Sequence, residues 1–262
     1  MKTIKGVIRR LIKFFGQVYA VKLFFIKHPL DYLKLSQKER CLFFEPWYND
    51  FSVLGVKTFQ KNKKYELNQK AKQEILFPMI LKMLALCKKT GPGSARGVEL
   101  FSANSFYGNF AVINGADKVT AVDTDPYELS KGKLITKLLG NENKMDFQSI
   151  NVFDLKESYD FAICAGGLYH ISDPAGLLKI LKDKVKVAMV IQTIISLENT
   201  SPDYFVTPAP NWTWGCRFSY DYLLNMVREA GWEIIEATQN EMGNKRLESK
   251  ASGYVLCRPK QV

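Results

Sequence analysis

The stretch GVELFSANSFYGNFAVINGADKVTAVDTDP, residues 97–126, decides the fold because it has the pattern of a strand, a tight turn, a helix and a second strand. Residues 97–101 form a short, mostly apolar run, and residues 106–114 have large apolar side chains at helical spacing. Gly115 is placed to end that helix, and the β-branched run 118–122 follows it. The stretch therefore predicts a βαβ unit.

An acidic residue lies near the end of each predicted strand, Glu99 in the first and Asp123 after the second. A βαβ unit of this size is the usual cradle for an adenosine-containing cofactor, because its turn and its strand ends meet at one edge of the sheet. Asp123 follows Glu99 by 24 residues, close to the spacing at which the second carboxylate accepts hydrogen bonds from both ribose hydroxyls. We therefore expect Asp123 to bind a ribose.

The composition indicates a folded protein with a sizeable core. A chain of 262 residues suffices for one large α/β domain or two small ones, and a hydrophobic share of 47% argues against disorder. The five cysteines are scattered without a CxxC pair, and the chain has two histidines, which excludes a zinc finger or ribbon. Scattered thiols are typical of the reducing cytosol, so we expect a cytoplasmic protein without a metal site.

The net charge of +11 is concentrated at the start of the chain. Residues 1–40 contain ten Lys and Arg against two acidic residues, so about +8 of the total lies there. Such asymmetry indicates a polyanionic neighbour, which could be nucleic acid, an anionic membrane surface or a phosphorylated substrate.

Residues 1–28 have the pattern of a basic amphipathic helix, with apolar residues at helical spacing and Lys or Arg on the other side. Such a helix lies flat in a membrane interface or against phosphates. The alternative is an ordinary helix that packs its apolar side on the main domain, and the two are compatible. Lys13, Lys22 and Lys27 interrupt the apolar runs before the ~18 residues of a membrane span, and a signal peptide is disfavoured for the same reason.

An aromatic-rich, irregular stretch at residues 41–67 predicts a segment that wraps around the main domain. Trp47 and Tyr48 within it are candidates either to cover a ligand or to lie in the core. Residues 69–89 regain helical spacing, and Pro78 should kink or restart that helix.

The rest of the chain alternates between strand-like and helical segments. Strands are predicted at 147–152, 159–165, 185–193, 232–238 and 253–258, and helices at 127–139, 175–182 and 220–230. Together with the βαβ unit, this alternation predicts an α/β, Rossmann-like fold. Its seven-stranded sheet is mostly parallel and ends in a C-terminal antiparallel hairpin, with helices on both faces.

We divide the chain into an N-terminal helical extension, residues 1–68, and a main domain, residues 69–262. The extension combines the basic helix with the aromatic segment. Within the main domain, residues 194–217 form a long connection with three prolines, and connections of this length usually serve a function such as a substrate lid.

Five segments together resemble one family. They are ELFSANSFYGNFA, AVDTDP, NVFDL, CAGGLYHISDP and GYVLCRP, in this order. Their order and spacing resemble the class I S-adenosylmethionine (SAM) methyltransferases over roughly residues 70–258. Within that class they resemble the branch of the bacterial tRNA wobble-uridine carboxymethyltransferase and related small-molecule methyltransferases. The resemblance implies SAM as the cofactor.

The resemblance implies that the turn after the first strand holds the methionine end of SAM. Glu99 or its neighbours would contact the amino group, and the turn residues that would bind the cofactor are Phe101, Ser102, Ala103 and Asn104. The family pattern is acid-x-Gly-x-Gly-x-Gly, whereas the three glycine positions are here Phe101, Ala103 and Ser105. Glycine serves there to take a positive φ or to let the backbone approach the ligand. Asn104 in a left-handed conformation would partly replace it.

The resemblance also implies which residues hold the adenosine. Asp123 would bind the ribose, with Thr124 beside it. Asn151 would contact the adenine amine, Val152 would offer its backbone N–H to the ring, and Asp154 is the alternative polar contact. Asn151 is also typical of a turn residue that binds its own backbone.

The segment Gly166–His170 follows the fourth strand, at the edge where open α/β sheets bind ligands. Gly166 would let SAM and the acceptor approach closely. His170 is the candidate general base, because a neutral imidazole takes a proton near pH 7, and a structural histidine that binds the lid backbone is the alternative. Further candidates are Tyr169 for catalysis, Tyr107 beside the methyl-transfer channel, Trp212 and Trp214 to stack on a planar or sugar acceptor, and Arg217 to pair with an acceptor anion.

These observations predict a SAM-dependent methyltransferase that acts on a small-molecule or lipid-linked acceptor by in-line displacement. The basic helix would then touch an anionic surface, which places the protein in the cytoplasm at the inner membrane face. One alternative is a tRNA-modifying methyl- or carboxymethyltransferase, which the lack of a recognised RNA-binding module disfavours. Another is a degenerate, non-catalytic fold that serves as a binding module. A nicotinamide dehydrogenase is disfavoured because the phosphate-cradling glycines are missing.

Overall fold

The computed structural model describes residues 35–60, 63–90, 95–241 and 250–260, and the predicted basic helix at residues 1–28 lies outside them. The strands are β1 Arg96–Leu100, β2 Lys118–Asp123, β3 Met145–Ser149, β4 Tyr159–Ala165, β5 Val185–Ser196, β6 Phe205–Val206, β7 Arg217–Phe218, β8 Trp232–Glu241 and β9 Lys250–Pro259. The helices are α1 Gln37–Phe43, α2 Lys63–Thr90, α3 Phe106–Ile113, α4 Pro126–Leu138, α5 Pro174–Lys184 and α6 Tyr220–Glu229.

The central sheet has seven strands in the order β3-β2-β1-β4-β5-β9-β8. Strands β1 to β5 pair in parallel, and β9 pairs antiparallel with both β5 and β8. This confirms the predicted fold class, including the C-terminal antiparallel pair. The strand order reverses between β1 and β4, and the carboxyl edge at such a point is where open α/β sheets bind ligands.

Two apolar layers cover the faces of the sheet. Helices α2, α3 and α4 pack on one face, and α5 and α6 pack on the other. The central strand β4 is buried over nearly its whole length, as expected for a parallel strand covered on both sides. The core therefore fixes the strand ends at one edge, where the polar residues lie.

Helix α2 runs without interruption from Lys63 to Thr90, with Pro78 inside it. Of the two predicted effects of Pro78, a kink or a restart of the helix, the restart is therefore wrong. Proline in a helix interior costs about 3 kcal/mol, and burial of each large apolar side chain contributes about 1.5–3 kcal/mol. Leu76, Met79 and Ile80 on either side of the proline are almost completely buried, so their packing against the sheet offsets the missing hydrogen bond.

Residues 35–60, which we call the strap, precede α2 and pack several of their aromatic side chains into the core. Helix α1 starts the strap, and Ser36 and Glu39 form a capping box at its first turn. Trp47 is completely buried in the core, whereas Tyr48 remains partly exposed. Of the two interpretations of these aromatics, the core assignment therefore holds for Trp47. Helix α2 also extends across the predicted division after residue 68.

Two predicted elements end elsewhere than expected. Strand β3 stops at Ser149 rather than Val152, because the Asn151 side chain accepts a hydrogen bond from the Phe153 amide (3.0 Å) and opens a 3-10 turn. Within the predicted lid at 194–217, β5 continues to Ser196, and the short strands β6 and β7 pair antiparallel. Among the helices that the structure describes, none has the length and apolarity that a membrane crossing needs.

Candidate active site

A cleft of about 950 Å³ opens at the carboxyl edge of the sheet. Most of the predicted site residues line it, namely Glu99, Phe101, Ser102, Ala103, Tyr107, Asp123, Thr124, Asn151, Val152, Gly166, Tyr169, His170 and Trp214. The remaining ones, which are Asn104, Asp154, Trp212 and Arg217, do not line it. The fold thus brings together residues from the ends of β1, β2, β3 and β4, as expected for parallel strands that share one edge.

The turn Phe101–Ser105, which we call the cofactor loop, takes a left-handed conformation at alternate residues. The φ angles are +51° at Phe101, +44° at Ala103 and +56° at Ser105. These are the three positions where the family pattern has glycine, so the backbone keeps the glycine conformation without glycine. A non-glycine residue in this region costs of order 1 kcal/mol, and such strain is usually found at functional sites.

Asn104 is not left-handed, so the prediction that it replaces glycine in this way is wrong. It is completely buried, its Oδ1 accepts a hydrogen bond from Asn49 Nδ2 (2.9 Å), and its Nδ2 donates to Glu128 Oε2 (3.4 Å). Asn104 therefore ties the cofactor loop to the strap and to α4.

Glu99 holds the far end of the cofactor loop. Its carboxylate accepts hydrogen bonds from Ser105 Oγ (2.7 Å) and from the amides of Gly108 (2.9 Å) and Tyr107 (3.1 Å). Gly108 leaves room for it, because a Cβ there would lie 2.6 Å from Glu99 Oε2. Burial raises the pKa of Glu99 to about 7, and the three hydrogen bonds oppose this rise. Glu99 thus caps the start of α3 and fixes Ser105, besides lining the cleft.

Asp123 holds the middle of the cofactor loop. Its Oδ2 accepts a hydrogen bond from the Ala103 amide (2.8 Å), and its Oδ1 accepts one from the Asp125 amide (2.9 Å). A carboxylate can accept about four hydrogen bonds, so each oxygen keeps acceptor capacity for a ligand. Asp123 therefore both shapes the loop and lines the cleft with a partly exposed negative charge.

Phe101 and Gly167 form a matched pair at the wall of the cleft. A Cβ on Gly167 would overlap the Phe101 ring, so the ring lies directly against the glycine. Gly166 beside it has φ +84°, with Gln192 Oε1 as the nearest atom to an added Cβ, at 3.7 Å. The two glycines thus serve different needs, one space for a ring and the other a left-handed backbone.

Only some of the residues that were predicted to contact the adenine lie at the cleft. Asn151 and Val152 line the cleft, and Asn151 also caps its own turn, so the cleft position and the turn interpretation are compatible. Thr124 lines the cleft and is exposed. Asp154 is exposed and lies outside the cleft, because the 3-10 turn carries it past the edge of the sheet.

An aromatic cluster forms the rim on the other side. The ring of His170 is stacked on Trp214, with centroids 5.0 Å apart and an interplanar angle of 8°, and Tyr169 lies 4.0 Å from His170. The lid is joined to this turn by a hydrogen bond from the Cys216 amide to the Tyr169 carbonyl (3.0 Å). Desolvation lowers the pKa of His170 to about 4, although the residue keeps exposed surface at the rim. This shift favours the neutral imidazole, which can accept a proton, and at the same time makes it a weaker base.

Trp212 and Arg217 lie behind this rim. Trp212 contacts Trp214 at 4.4 Å between ring centroids, and the Arg217 guanidinium lies 5.8 Å from the Trp212 ring. Arg217 is almost completely buried, so the structure does not bring it to the cleft where an acceptor anion would bind. Trp214, which is 48% exposed, is the lid aromatic that the cleft reaches.

Lys72 of α2 is a cleft residue that the sequence reasoning missed. It lies one turn before Leu76 on the buried side of the helix and is 8% exposed, and desolvation lowers its pKa to about 8. None of the ion pairs among the residues that the structure describes includes it. The available signal was a lysine on the apolar stripe of a helix, because lysine is rarely buried without a reason. The strap contributes Glu45, Pro46, Tyr48 and Asn49 to the same cleft.

The sequence profile of the methyltransferase domain family matches residues 82–237. The chain belongs to this family. The family profile together with the strand order and the cleft at the carboxyl edge identifies it as a class I, SAM-dependent methyltransferase. A search of curated protein sequences gives no significant match. No group of three His, Cys, Asp or Glu side chains that could hold a metal ion occurs in the described part of the chain.

Solved structures agree with this assignment at the level of the fold. The N-terminal domain of EvdMO1 with S-adenosylhomocysteine (SAH) bound has a TM-score of 0.59 at 18% identity, covering 86% of this chain and 95% of that one. Magnesium protoporphyrin IX methyltransferase (ChlM) from Synechocystis PCC 6803, also with SAH, has 0.57 at 12% identity, covering 80% and 92%. The [4+2]-cyclase SpnF has 0.60 at 13% identity, covering 77% and 86%. Because a cyclase shares the fold, likeness of fold alone does not fix the reaction.

The residues of the methyltransferase cleft fit SAM. The hydroxyls of Tyr107 and Ser102 are buried at the cleft and have no hydrogen-bond partner within the described part of the chain. A buried hydroxyl without a partner costs about 1–3 kcal/mol, so a polar ligand atom at this position would be stabilising. The Asp123 carboxylate has acceptor capacity for two ribose hydroxyls. The two hydroxyls and the carboxylate therefore provide hydrogen-bonding groups that match the polar groups of SAM at both its nucleoside end and its amino-acid end.

Proposed function

We propose that this methyltransferase acts on a small-molecule acceptor that enters between the His170–Trp214 rim and Lys72. The observation that carries the proposal is that one cleft contains both sets of residues. Asp123 and the cofactor loop suit the cofactor. Lys72, Tyr169, His170 and Trp214 supply a cation, a hydroxyl, an imidazole and an exposed ring that the cofactor assignment leaves unused.

For methyl transfer from SAM, the protein must position the acceptor and exclude water from the site. SAM supplies a methyl group on an activated sulfonium, so its transfer needs in-line alignment of the acceptor atom more than covalent help. In this proposal the rim aromatics and the strap orient the acceptor and keep water out. In this proposal His170 takes the proton from an acceptor hydroxyl or amine, because its neutral ring lines the cleft beside Trp214, although the lowered pKa makes it a weaker base.

The acceptor that suits this cleft has a flat ring or a sugar face and an anionic group. Trp214 offers the exposed ring on which such a face stacks. Lys72 takes the part that the sequence assigned to Arg217, because a buried ammonium is strongly destabilising until an anion compensates it. In support, the EvdMO1 domain was also crystallised in the presence of SAH and D-fucose, a sugar.

The lipid-linked acceptor, the membrane surface and the tRNA wobble-uridine branch stay predictions. They depend on the basic residues 1–28 and on resemblance. Each of these alternatives predicts that a different class of molecule, a lipid or a tRNA rather than a small molecule, receives the methyl group. The experiment therefore identifies the class of molecule that is methylated.

The test incubates the purified chain with methyl-labelled SAM and a cell extract that has been separated into small molecules, lipids and tRNA. We expect label in the small-molecule fraction, reduced by at least tenfold in His170→Ala if proton transfer limits the reaction. The control variant is Asp183→Asn, at an exposed position of the far helix α5 outside the cleft, and it should leave incorporation unchanged. Label confined to the lipid or tRNA fraction would overturn the proposal in favour of the corresponding alternative.

A further inference from the structure

The strap forms the outer wall of the cofactor cleft. Its residues Glu45, Pro46, Tyr48 and Asn49 line the cleft opposite the strand ends. On the same side, helix α4 contributes Tyr127, Glu128 and Lys131. The wall is therefore made of two elements, and how firmly they are joined decides how closed the cleft is.

Lys131 lies at the junction of the two elements. It is 4% exposed, and its ammonium donates a hydrogen bond to the Pro46 carbonyl (3.1 Å). The same ammonium lies 5.4 Å from the centre of the Trp47 ring and 4.8 Å from that of Tyr127. Its nearest carboxylate is Glu128, at 3.8 Å. One buried cation thus contacts the strap backbone, a strap ring and the helix that carries it.

Two further contacts join the strap to the elements that line the cleft. Glu45 accepts a hydrogen bond from the Tyr127 hydroxyl, which ties the strap to the start of α4. Asn49 donates to Asn104 of the cofactor loop (2.9 Å). Because α4 follows closely after Asp123, all three contacts connect the strap to the groups that we assign to the nucleoside and methionine parts of the cofactor.

These contacts are polar, which distinguishes them from the apolar anchoring of the strap by Trp47 and Phe51 in the core. A wall held at its cleft-facing side by hydrogen bonds and a cation–π contact opens at a smaller cost than one held by buried apolar area. The contacts of Glu45, Pro46 and Asn49 with α4 and the cofactor loop can therefore break while the buried side chains of Trp47 and Phe51 keep the strap packed on the core.

We propose that Lys131 is a positioning residue that fastens the strap over the bound cofactor, so that release of SAH requires this contact to break. The inference concerns cofactor binding and does not depend on the identity of the acceptor. It predicts that the strap limits the rate at which the product SAH leaves.

The test compares Lys131→Met with Lys133→Met by stopped-flow measurement of SAH dissociation. Methionine keeps the length of the side chain without its charge, and Lys133 is an exposed residue of the same helix that lies outside the cleft. We expect SAH to leave roughly tenfold faster from Lys131→Met and at the wild-type rate from Lys133→Met. Lys131→Arg, which keeps a cation and donors, should recover much of the loss.

Hydrogen exchange supplies a readout that does not involve activity. In Lys131→Met with SAH bound, the amides of residues 44–50 should exchange faster, while those of β4 stay as in the wild type. If Lys131→Met does not fold, Tyr127→Phe tests the same junction at an exposed position and should also speed dissociation. Unchanged dissociation and exchange in a folded variant would overturn the proposal.

Discussion

The cofactor loop Phe101–Ser105 and the turn Gly166–Gly167 lie side by side at the carboxyl edge, yet they use glycine in opposite ways. The loop has left-handed backbone at three positions and no glycine. Gly167 has an ordinary φ of −106° and is nevertheless required, because the Phe101 ring occupies the space of its side chain. Glycine serves either conformation or space, and the turn uses it for both, at Gly166 and Gly167, whereas the cofactor loop uses it for neither.

The comparison also shows what permits the loop to do without glycine. Two of its three left-handed residues are held by hydrogen bonds from outside the loop, namely Ser105 by Glu99 and Ala103 by Asp123. Hydrogen bonds to charged groups contribute about 1.5–3 kcal/mol each, enough to offset left-handed strain of order 1 kcal/mol per residue. The loop is therefore imposed by its neighbours, whereas the turn depends on its own composition.

Removal of the Asp123 carboxylate should have the largest effect. Asp123→Ala loses the loop contact to the Ala103 amide together with the proposed ribose contacts, so we expect SAH to bind about 100-fold more weakly. Isothermal titration calorimetry with SAH measures this. Asp154→Ala, an exposed acid outside the cleft, is the matched control and should bind as the wild type does. Equal affinities of Asp123→Ala and the wild type would refute the ribose assignment.

Gly167→Ala should have the next largest effect. The added methyl group overlaps the Phe101 ring, and overpacking of this kind costs about 1–3 kcal/mol of unfolding free energy. Urea denaturation of Gly167→Ala, Phe101→Ala and the double variant completes a mutant cycle. We expect the cost of Gly167→Ala to fall close to zero in the Phe101→Ala background. A cost that is the same in both backgrounds would contradict the pairing of these residues.

Substitution of glycine into the cofactor loop should change the stability of the fold by smaller amounts, with opposite signs at Ala103 and at Ser105. Ala103→Gly relieves a left-handed alanine and should stabilise the fold by about 0.5–1 kcal/mol, after the greater freedom of glycine in the unfolded chain is allowed for. Ser105→Gly also relieves strain but removes the hydroxyl bound to the buried Glu99, and should destabilise by about 1 kcal/mol. Stabilisation by both substitutions would show that Glu99 does not hold the loop.

The protonation of His170 should have the smallest effect, which is a dependence of the stability of the fold on pH. Its pKa in the folded state is lowered from 6.5, so the neutral ring contributes stability above pH 6.5, and this contribution is lost as the pH falls towards 4. Titration of the His170 imidazole by NMR should give a midpoint below 6.5. Trp214→Ala removes the stacked ring and should move the midpoint back towards 6.5. A midpoint unaffected by this substitution would show that the stacking does not desolvate His170.

The sequence predicts an element correctly where the local pattern of apolar residues marks its beginning and its end. The predicted bounds of β4 match the structure, and the C-terminal strand pair is predicted with shorter strands, at 232–238 and 253–258, than the structure has. The end of β3 was missed because the Asn151 side chain, rather than a loss of apolar pattern, draws the chain into a turn. The continuity of α2 through Pro78 depends on packing against the sheet, which local sequence does not show.

The candidate site was predictable at the strand ends and less so away from them. Asp123 and His170 reach the cleft because topology places strand ends at one edge. The left-handed residues of the cofactor loop carry no local signal, since partners distant in sequence impose their conformation. Lys72 comes from a helix that precedes the βαβ unit, and Arg217 lies behind the rim, because the lid folds back on Tyr169.

The most direct test of the central claim is calorimetry of the wild-type chain with SAH. The claim is that a loop without glycine keeps the conformation and the donors of a working SAM site. It predicts saturable binding of one SAH per chain, abolished or strongly weakened in Asp123→Ala. An absence of heat up to millimolar SAH, from a chain that is folded by circular dichroism, would contradict the claim and favour the degenerate binding module.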